Sequence, residues 1–124
     1  MIIYISGKMT GLEDLGRAAF EKAERELSAQ GHIVLNPVAL PEGLPREAYM
    51  PMDISLINAA DAVYMLRSWP SSRGACIEKD YAEYQGKRIL YEDPEEGARL
   101  TACQNMMRAL LASFSGGKDE TGEL

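Results

Sequence analysis

The segment Ser71-Ser72-Arg73-Gly74-Ala75-Cys76-Ile77-Glu78 follows a short apolar run and opens a helical pattern, so hydroxyls, a cation, a glycine and a carboxylate gather at one strand-to-helix junction. An α/β protein keeps its site at such a junction. The N-terminus of a helix presents unpaired N–H groups and about half a positive charge, a ready receptor for a phosphate. Glu78 falls one turn further in, and its neighbours at i−4, i−3 and i+4 are Gly74, Ala75 and Ala82. The carboxylate therefore lies in a track of small side chains. Such a track either lets another element pack closely or leaves room for a ligand against the acid, and the serine pair and glycine on the same turn favour the ligand.

A second glycine-bracketed loop is Gly7-Lys8-Met9-Thr10-Gly11. It is not a Walker loop, which needs a glycine five residues before the Gly-Lys pair and Ser or Thr directly after the lysine, where this chain has Met9. No Gly-x-Gly-x-x-Gly for a dinucleotide is present either. Alone, the two glycines describe a tight turn; beside the first loop they become a candidate ligand cradle. His32 is the only histidine, which excludes a histidine-rich metal site, and its place at a strand end reads as structural. Cys76 and Cys103 are the only cysteines and form no C-x-x-C pair, so both read as reduced thiols of a cytoplasmic protein. No metal or cofactor is implied.

The elements that must position these residues alternate between extended and helical. Ile2 to Ser6 reads as a buried strand. Asp14 to Gln30 follows as an amphipathic helix, with Ala18, Ala19, Ala23 and Leu27 inward and Gly31 as its stop. His32 to Leu35 is a second strand. Asn36 to Arg46, with Pro37, Pro41 and Pro45, is a loop long enough for a lid or a subunit contact. Pro51 suits the first turn of a helix reaching Ala60, with Asp53 near its start and Leu56, Ile57 and Ala60 inward. Ala62 to Leu66, Arg73 to Gln85 and Arg88 to Tyr91 read as strand, helix and strand, and a last helix runs from Pro94 to Phe114.

This pattern predicts an α/β fold: a three-layer, Rossmann-like or flavodoxin-like parallel sheet of four to five strands with helices on both faces. The loops after the first and third strands then meet at the carboxyl edge. With 124 residues, 46% apolar and 26% charged, the chain suits a single domain over 1–114 and a flexible acidic tail over 115–124. A net charge of −6 without a Lys/Arg stripe argues against a polynucleotide partner. The sequence has neither a signal peptide pattern nor a membrane span.

Tyr4-Ile5-Ser6-Gly7, Met9-Thr10-Gly11, Asn36-Pro37, Asp53, Ala60-Asp61, Trp69 and Ser72-Arg73-Gly74-Ala75 with Glu78 resemble a small phage and bacterial family, DUF4406. That family is itself similar to the nucleoside 2-deoxyribosyltransferases and the 2'-deoxynucleoside 5'-monophosphate N-glycosidases. The resemblance runs from about Met1 to Tyr91. It implies that Glu78 attacks an anomeric carbon as an N-glycosidic bond breaks, through an oxocarbenium-like state that a carboxylate stabilises or traps. It further implies that Asp53 orients or protonates the base and that Tyr4 lies near the nucleophile. On the residues alone, Asp53 also suits the positive end of its helix, and Tyr4 a place in the core.

Six residues before the nucleophile, the transferases acting on free nucleosides tend to carry an aspartate, where this chain has Ser72. The serine resembles the monophosphate N-glycosidases, in which it helps bind the 5'-phosphate, and the helix start with Ser71, Ser72, Arg73 and Gly74 suits a dianion. Lys8 replaces the proline common in the DUF4406 loop, and serves either the phosphate or the solvent. Trp69 suits base stacking as well as loop anchoring. The expected ligand-binding set is thus Ser6, Gly7, Lys8, Met9, Trp69, Ser72, Arg73 and Gly74, for a small nucleotide or nucleoside. The competing expectation is a non-catalytic nucleotide-binding or sensing protein. Apolar faces such as Leu56/Ile57 or Met106/Leu110, and the shared sites of the resembling enzymes, point to a homo-oligomer, a dimer or a multiple of it.

Overall fold

The computed structural model describes residues 1–95 together with 106, 109, 110 and 113. In chain order it contains β1 (Ile2–Ser6), α1 (Arg17–Ala29), β2 (Ile33–Leu35), α2 (Arg46–Ala59), β3 (Ala62–Met65), α3 (Arg73–Tyr84) and β4 (Arg88–Tyr91). Short 3-10 turns lie at Glu13–Gly16, Pro37–Ala39 and Trp69–Ser71. The four strands are all parallel, in the order β2-β1-β3-β4. The chain leaves β1 toward β2 on one side and then crosses to β3 on the other. Their common edge is a topological switch point, as the βα alternation predicts. Met1–Glu92 form one compact unit and Asp93–Leu124 a separate one. Most of the expected last helix and all of the tail 115–124 lie outside the described residues, as does Cys103; Met106, Ala109, Leu110 and Ser113 are helical and exposed.

Strand alternation sorts β1 between two cores. Ile3 and Ile5 pack with Phe20, Ala23 and Leu27 of α1, together with Val38, Ala62 and Leu66. Tyr4 turns to the other face, where α2 and α3 supply Ile57, Ala75 and Ala82 against Val63 and Met65. Ser6, two residues on, shares the face of Tyr4.

Three expectations are corrected. Helix α1 begins at Arg17, behind a left-handed turn in which Asp14, Leu15 and Gly16 have φ of 49°, 56° and 70°. Its buried face is Phe20, Ala23 and Leu27, and Ala18 and Ala19 are exposed. Burying one phenyl ring removes far more apolar surface from water than burying two methyl groups, so Phe20 sets the helix phase. Helix α2 begins at Arg46 and takes Pro51 into its interior. The ring forfeits only the bond to the carbonyl of Glu47, an exposed first-turn residue that water can serve. Asp53 is therefore mid-helix and not at the positive end. Finally, Ile57 is 0% exposed and Leu56 is half-buried against the same core, so of the Leu56/Ile57 pair only Leu56 reaches the surface.

The loop between β2 and α2 is fastened. Asn36 caps the 3-10 turn by accepting from Val38 N at 3.1 Å. Arg17 donates to Val38 O at 3.1 Å and to Glu42 at 2.8 Å. The Tyr49 hydroxyl donates to Pro41 O at 2.7 Å and accepts from Leu44 N at 3.1 Å.

At the switch point, β1 and the loop after β3 touch where Gly7 lacks a side chain. A Cβ there would stand 2.8 Å from Leu66 Cδ1 and 2.9 Å from its Cβ, and Leu66 is buried. Gly7→Ala should cost about 1–3 kcal/mol by overpacking, read as a lower denaturant midpoint at unchanged m-value. An unchanged midpoint would show that the two loops are not held in this contact.

Candidate active site

Glu78 points from α3 onto the face of β1 that carries Tyr4 and Ser6. Ser6 Oγ donates to Glu78 Oε1 at 2.7 Å, and Tyr4 OH donates to Oε2 at 3.2 Å. The carboxylate is 6% exposed and both donors are 1% exposed. Helix α2 brings Asp53 to the same spot, where its charge acts on both Glu78 and Tyr4. Asp53 Oδ1 is buried without a hydrogen-bond partner. Tyr4, Ser6, Asp53 and Glu78 thus come together from three elements.

The small-residue track divides between its two readings. Ala75 and Ala82 are buried in the core, letting α3 lie close on the sheet. Gly74 is different, because a Cβ there would meet nothing nearer than Met50 Cε and Ser72 Oγ, both at 4.0 Å. Neither backbone nor packing demands its glycine, and a side chain there would find room.

The other expected residues are placed around this centre. Ser72 is the N-cap of α3, its Oγ accepting from Ala75 N at 3.1 Å, which leaves the hydroxyl hydrogen to donate outward. Arg73 is exposed at the first position of α3. Lys8 N donates to Ser68 Oγ at 3.0 Å, tying the loop after β1 to the loop after β3. Met9 packs against the core on the α1 side, away from Glu78. Trp69 packs against the α2/α3 core, tilted 49° to the Tyr91 ring at 6.2 Å. His32 lies at the opposite edge, its Nδ1 3.0 Å from the α-amino group of Met1. Cys76 is a free thiol.

Two residues that sequence reasoning passed over belong to the surroundings. Lys79 is 6% exposed, pairs with Glu83 at 3.1 Å and holds its ammonium 5.6 Å from the Trp69 ring centroid. Its i,i+4 spacing to Glu83 was the available signal. Met50, one turn before Asp53 on α2, faces Gly74. Among the described residues, no group of His, Cys, Asp or Glu is arranged to hold a metal.

Electrostatics follow from burial. Desolvation raises Glu78 to about 8, with the Ser6 hydrogen bond opposing the shift and the charge of Asp53 adding to it. Burial raises Asp53 as well, against its interactions with Glu78 and Tyr4. Tyr4 is held well above the usual phenol value, first by burial and then by the two carboxylates. At neutral pH the two acids therefore retain a proton between them, and Tyr4 stays a hydroxyl donor.

This has a sign for stability. Between about 4.5 and about 8 the folded protein binds a proton on Glu78 that the unfolded chain has lost, so stability falls as pH rises through that window. The slope approaches about 1.4 kcal/mol per pH unit at most. Denaturation of wild type and Glu78→Gln across this range should show the variant flatter, and the more stable of the two at the alkaline end. Parallel curves would remove Glu78 as the titrating group.

Residues 1–91 match the family described as a domain of unknown function, DUF4406. No curated protein and no solved structure matches the chain. The matched span contains every described strand, both loops of the switch point and all four residues that meet at Glu78, and the chain belongs to the DUF4406 family.

Proposed function

We propose that this site cleaves or exchanges the N-glycosidic bond of a nucleotide or nucleoside, with Glu78 as nucleophile. The observation that carries the reading is a buried carboxyl pair, Glu78 and Asp53, retaining a proton at the carboxyl edge of the sheet beside a helix start that suits a phosphate. Paired acids in unequal surroundings divide into a base or nucleophile and an acid. The resemblance to the nucleoside 2-deoxyribosyltransferases and the monophosphate N-glycosidases supports the same assignment.

In this reading the shared proton passes to Asp53 as substrate binds, leaving Glu78 ionised. Glu78 forms a bond to the anomeric carbon while the carbon–nitrogen bond breaks, and its electron pair leaves with the base, which takes the proton of Asp53. Water or a second base then attacks the anomeric carbon, the ester bond to Glu78 breaks, and Asp53 recovers the proton released by the attacking group. The α3 start, with its N–H groups, the Ser72 hydroxyl and Arg73, receives the 5'-phosphate. A homo-oligomer belongs to the same proposal. Leu12, Leu15 and Leu44, 40%, 39% and 38% exposed on the two loops leaving β1 and β2 at this edge, supply apolar surface for it.

The second reading is a nucleotide-binding protein without the reaction. One observation favours it: at neutral pH Glu78 keeps its proton, and a neutral acid is no nucleophile. Incubation with a panel of nucleosides and 5'-monophosphates, followed by chromatography for free base, separates the two. Release should fall as pH rises past about 8, where the pair loses the proton that Asp53 must give to the base, and should fall by ~10³-fold or more in well-folded Glu78→Gln and Glu78→Ala. Binding with no release in the wild type supports the second reading, and full activity in Glu78→Ala defeats the first.

Substrate form gives an independent check. Charge-assisted hydrogen bonds are worth roughly 1.5–3 kcal/mol each, so a 5'-monophosphate should bind about tenfold or more tightly than its nucleoside. Ser72→Asp keeps a good helix cap and places a negative charge against the dianion, and should reverse the preference. Calorimetry on matched pairs measures this. Equal affinity in the wild type would leave Ser72 as a cap alone.

A further inference from the structure

The two oxygens of Glu78 are held unequally. Oε1 receives the 2.7 Å bond from Ser6, and Oε2 the 3.2 Å bond from Tyr4. Ser6 is also the more firmly fixed donor: it ends β1, a strand paired on both sides, its carbonyl accepts from Leu66 N at 2.8 Å, and its side chain has a single torsion. Tyr4 has an alternative acceptor, because it also interacts with Asp53, whose Oδ1 is buried and unpartnered.

We propose that Ser6 is the positioning residue of this site: it pins Oε1, and so leaves Oε2 as the oxygen that bonds to the anomeric carbon. As Oε2 engages, Tyr4 turns its hydroxyl hydrogen toward Asp53. The inference rests on the glycosidic reading of Glu78. It moves Ser6 out of the expected set of ligand contacts, since a side chain 1% exposed and bonded to the carboxylate serves the nucleophile and not the substrate.

The role has a defined electrostatic sign. A hydroxyl donor bonded to a carboxylate favours its ionised form, and this bond is the foremost influence opposing burial at Glu78. The other groups facing Glu78 are Tyr4 from β1, whose bond also favours ionisation, and Asp53 from α2, whose charge disfavours it. Lys79, next along α3, is engaged with Glu83 and Trp69 instead. Without Ser6, Glu78 keeps its proton to higher pH and its oxygens lose their fixed order.

The test begins on ligand-free protein. Carbon-13 NMR of the glutamate carboxyls, assigned by comparison with Glu78→Gln, should place the Glu78 midpoint in Ser6→Ala about one pH unit above wild type, about tenfold in the acid constant. In turnover, kcat at neutral pH should fall about tenfold or more while KM stays within about twofold, because the shared proton then stays on Glu78 and does not pass to Asp53. Ser6→Cys, close in size with a weak donor, should shift the midpoint by less and stands in for Ser6→Ala if that variant does not fold. An unchanged midpoint in a folded variant overturns the proposal, and so does a raised KM with kcat intact, which would make Ser6 a substrate contact. The titration needs no turnover. A wild type that releases no base therefore defeats the glycosidic reading, while the midpoint still reports whether Ser6 governs Glu78.

Discussion

The burial of one carboxyl group against the central strand is the constraint on which the site depends. Taking Glu78 out of water is costly unless the group stays neutral or finds donors. The fold supplies both, a retained proton and two hydroxyls on one face of β1. Those hydroxyls require a strand whose alternate positions are apolar on one side and carry Tyr4 and Ser6 on the other. The sequence Ile2-Ile3-Tyr4-Ile5-Ser6 has that form. Ile3 and Ile5 fill the α1 core while Tyr4 and Ser6 face Glu78.

The same constraint extends to the helices. For Glu78 to reach β1, α3 must lie close on the sheet, and the alanines at 75 and 82 make that approach possible. For a second acid to share its environment, α2 must cross the same face with Asp53 turned inward. The two helices do so because the crossover from β2 to β3 passes over β1, the connection that creates the switch point. Topology and proton affinity are therefore linked: a different strand order would leave Glu78 without Asp53.

Much of this was legible in the sequence, and the rest was hidden for identifiable reasons. Alternating strand and helix patterns predicted the parallel sheet, and the carboxyl-edge rule drew the loops after β1 and β3 together. The start of α2 was misread because Pro51 carries the signature of a first helical residue, although a helix tolerates it further in when the forfeited carbonyl faces water. The phase of α1 was misread because Ala18 and Ala19 count as apolar in a periodic pattern while contributing little area. The pairing of Ser6 with Glu78 joins residues 72 apart in sequence, and no local signal marks such a contact. The placing of Tyr4 and Asp53 beside Glu78 was reached through family resemblance, which carries the spatial knowledge that periodicity lacks.

The proline inside α2 also bears on motion. A helix with a missing rung is a joint, and here the joint falls between Glu47 and Pro51, one turn before Asp53. The first turn can bend against the remainder more easily than in an unbroken helix, because one of the bonds that would resist was never formed. Tyr49 rides on that turn and grips the preceding loop at Pro41 and Leu44, so the turn and the loop move as one piece. Met50, the residue facing Gly74, moves with them. Asp53 lies on the other side of the joint, in the body of the helix, so a bend there displaces Met50 and the preceding loop more than it displaces the two acids.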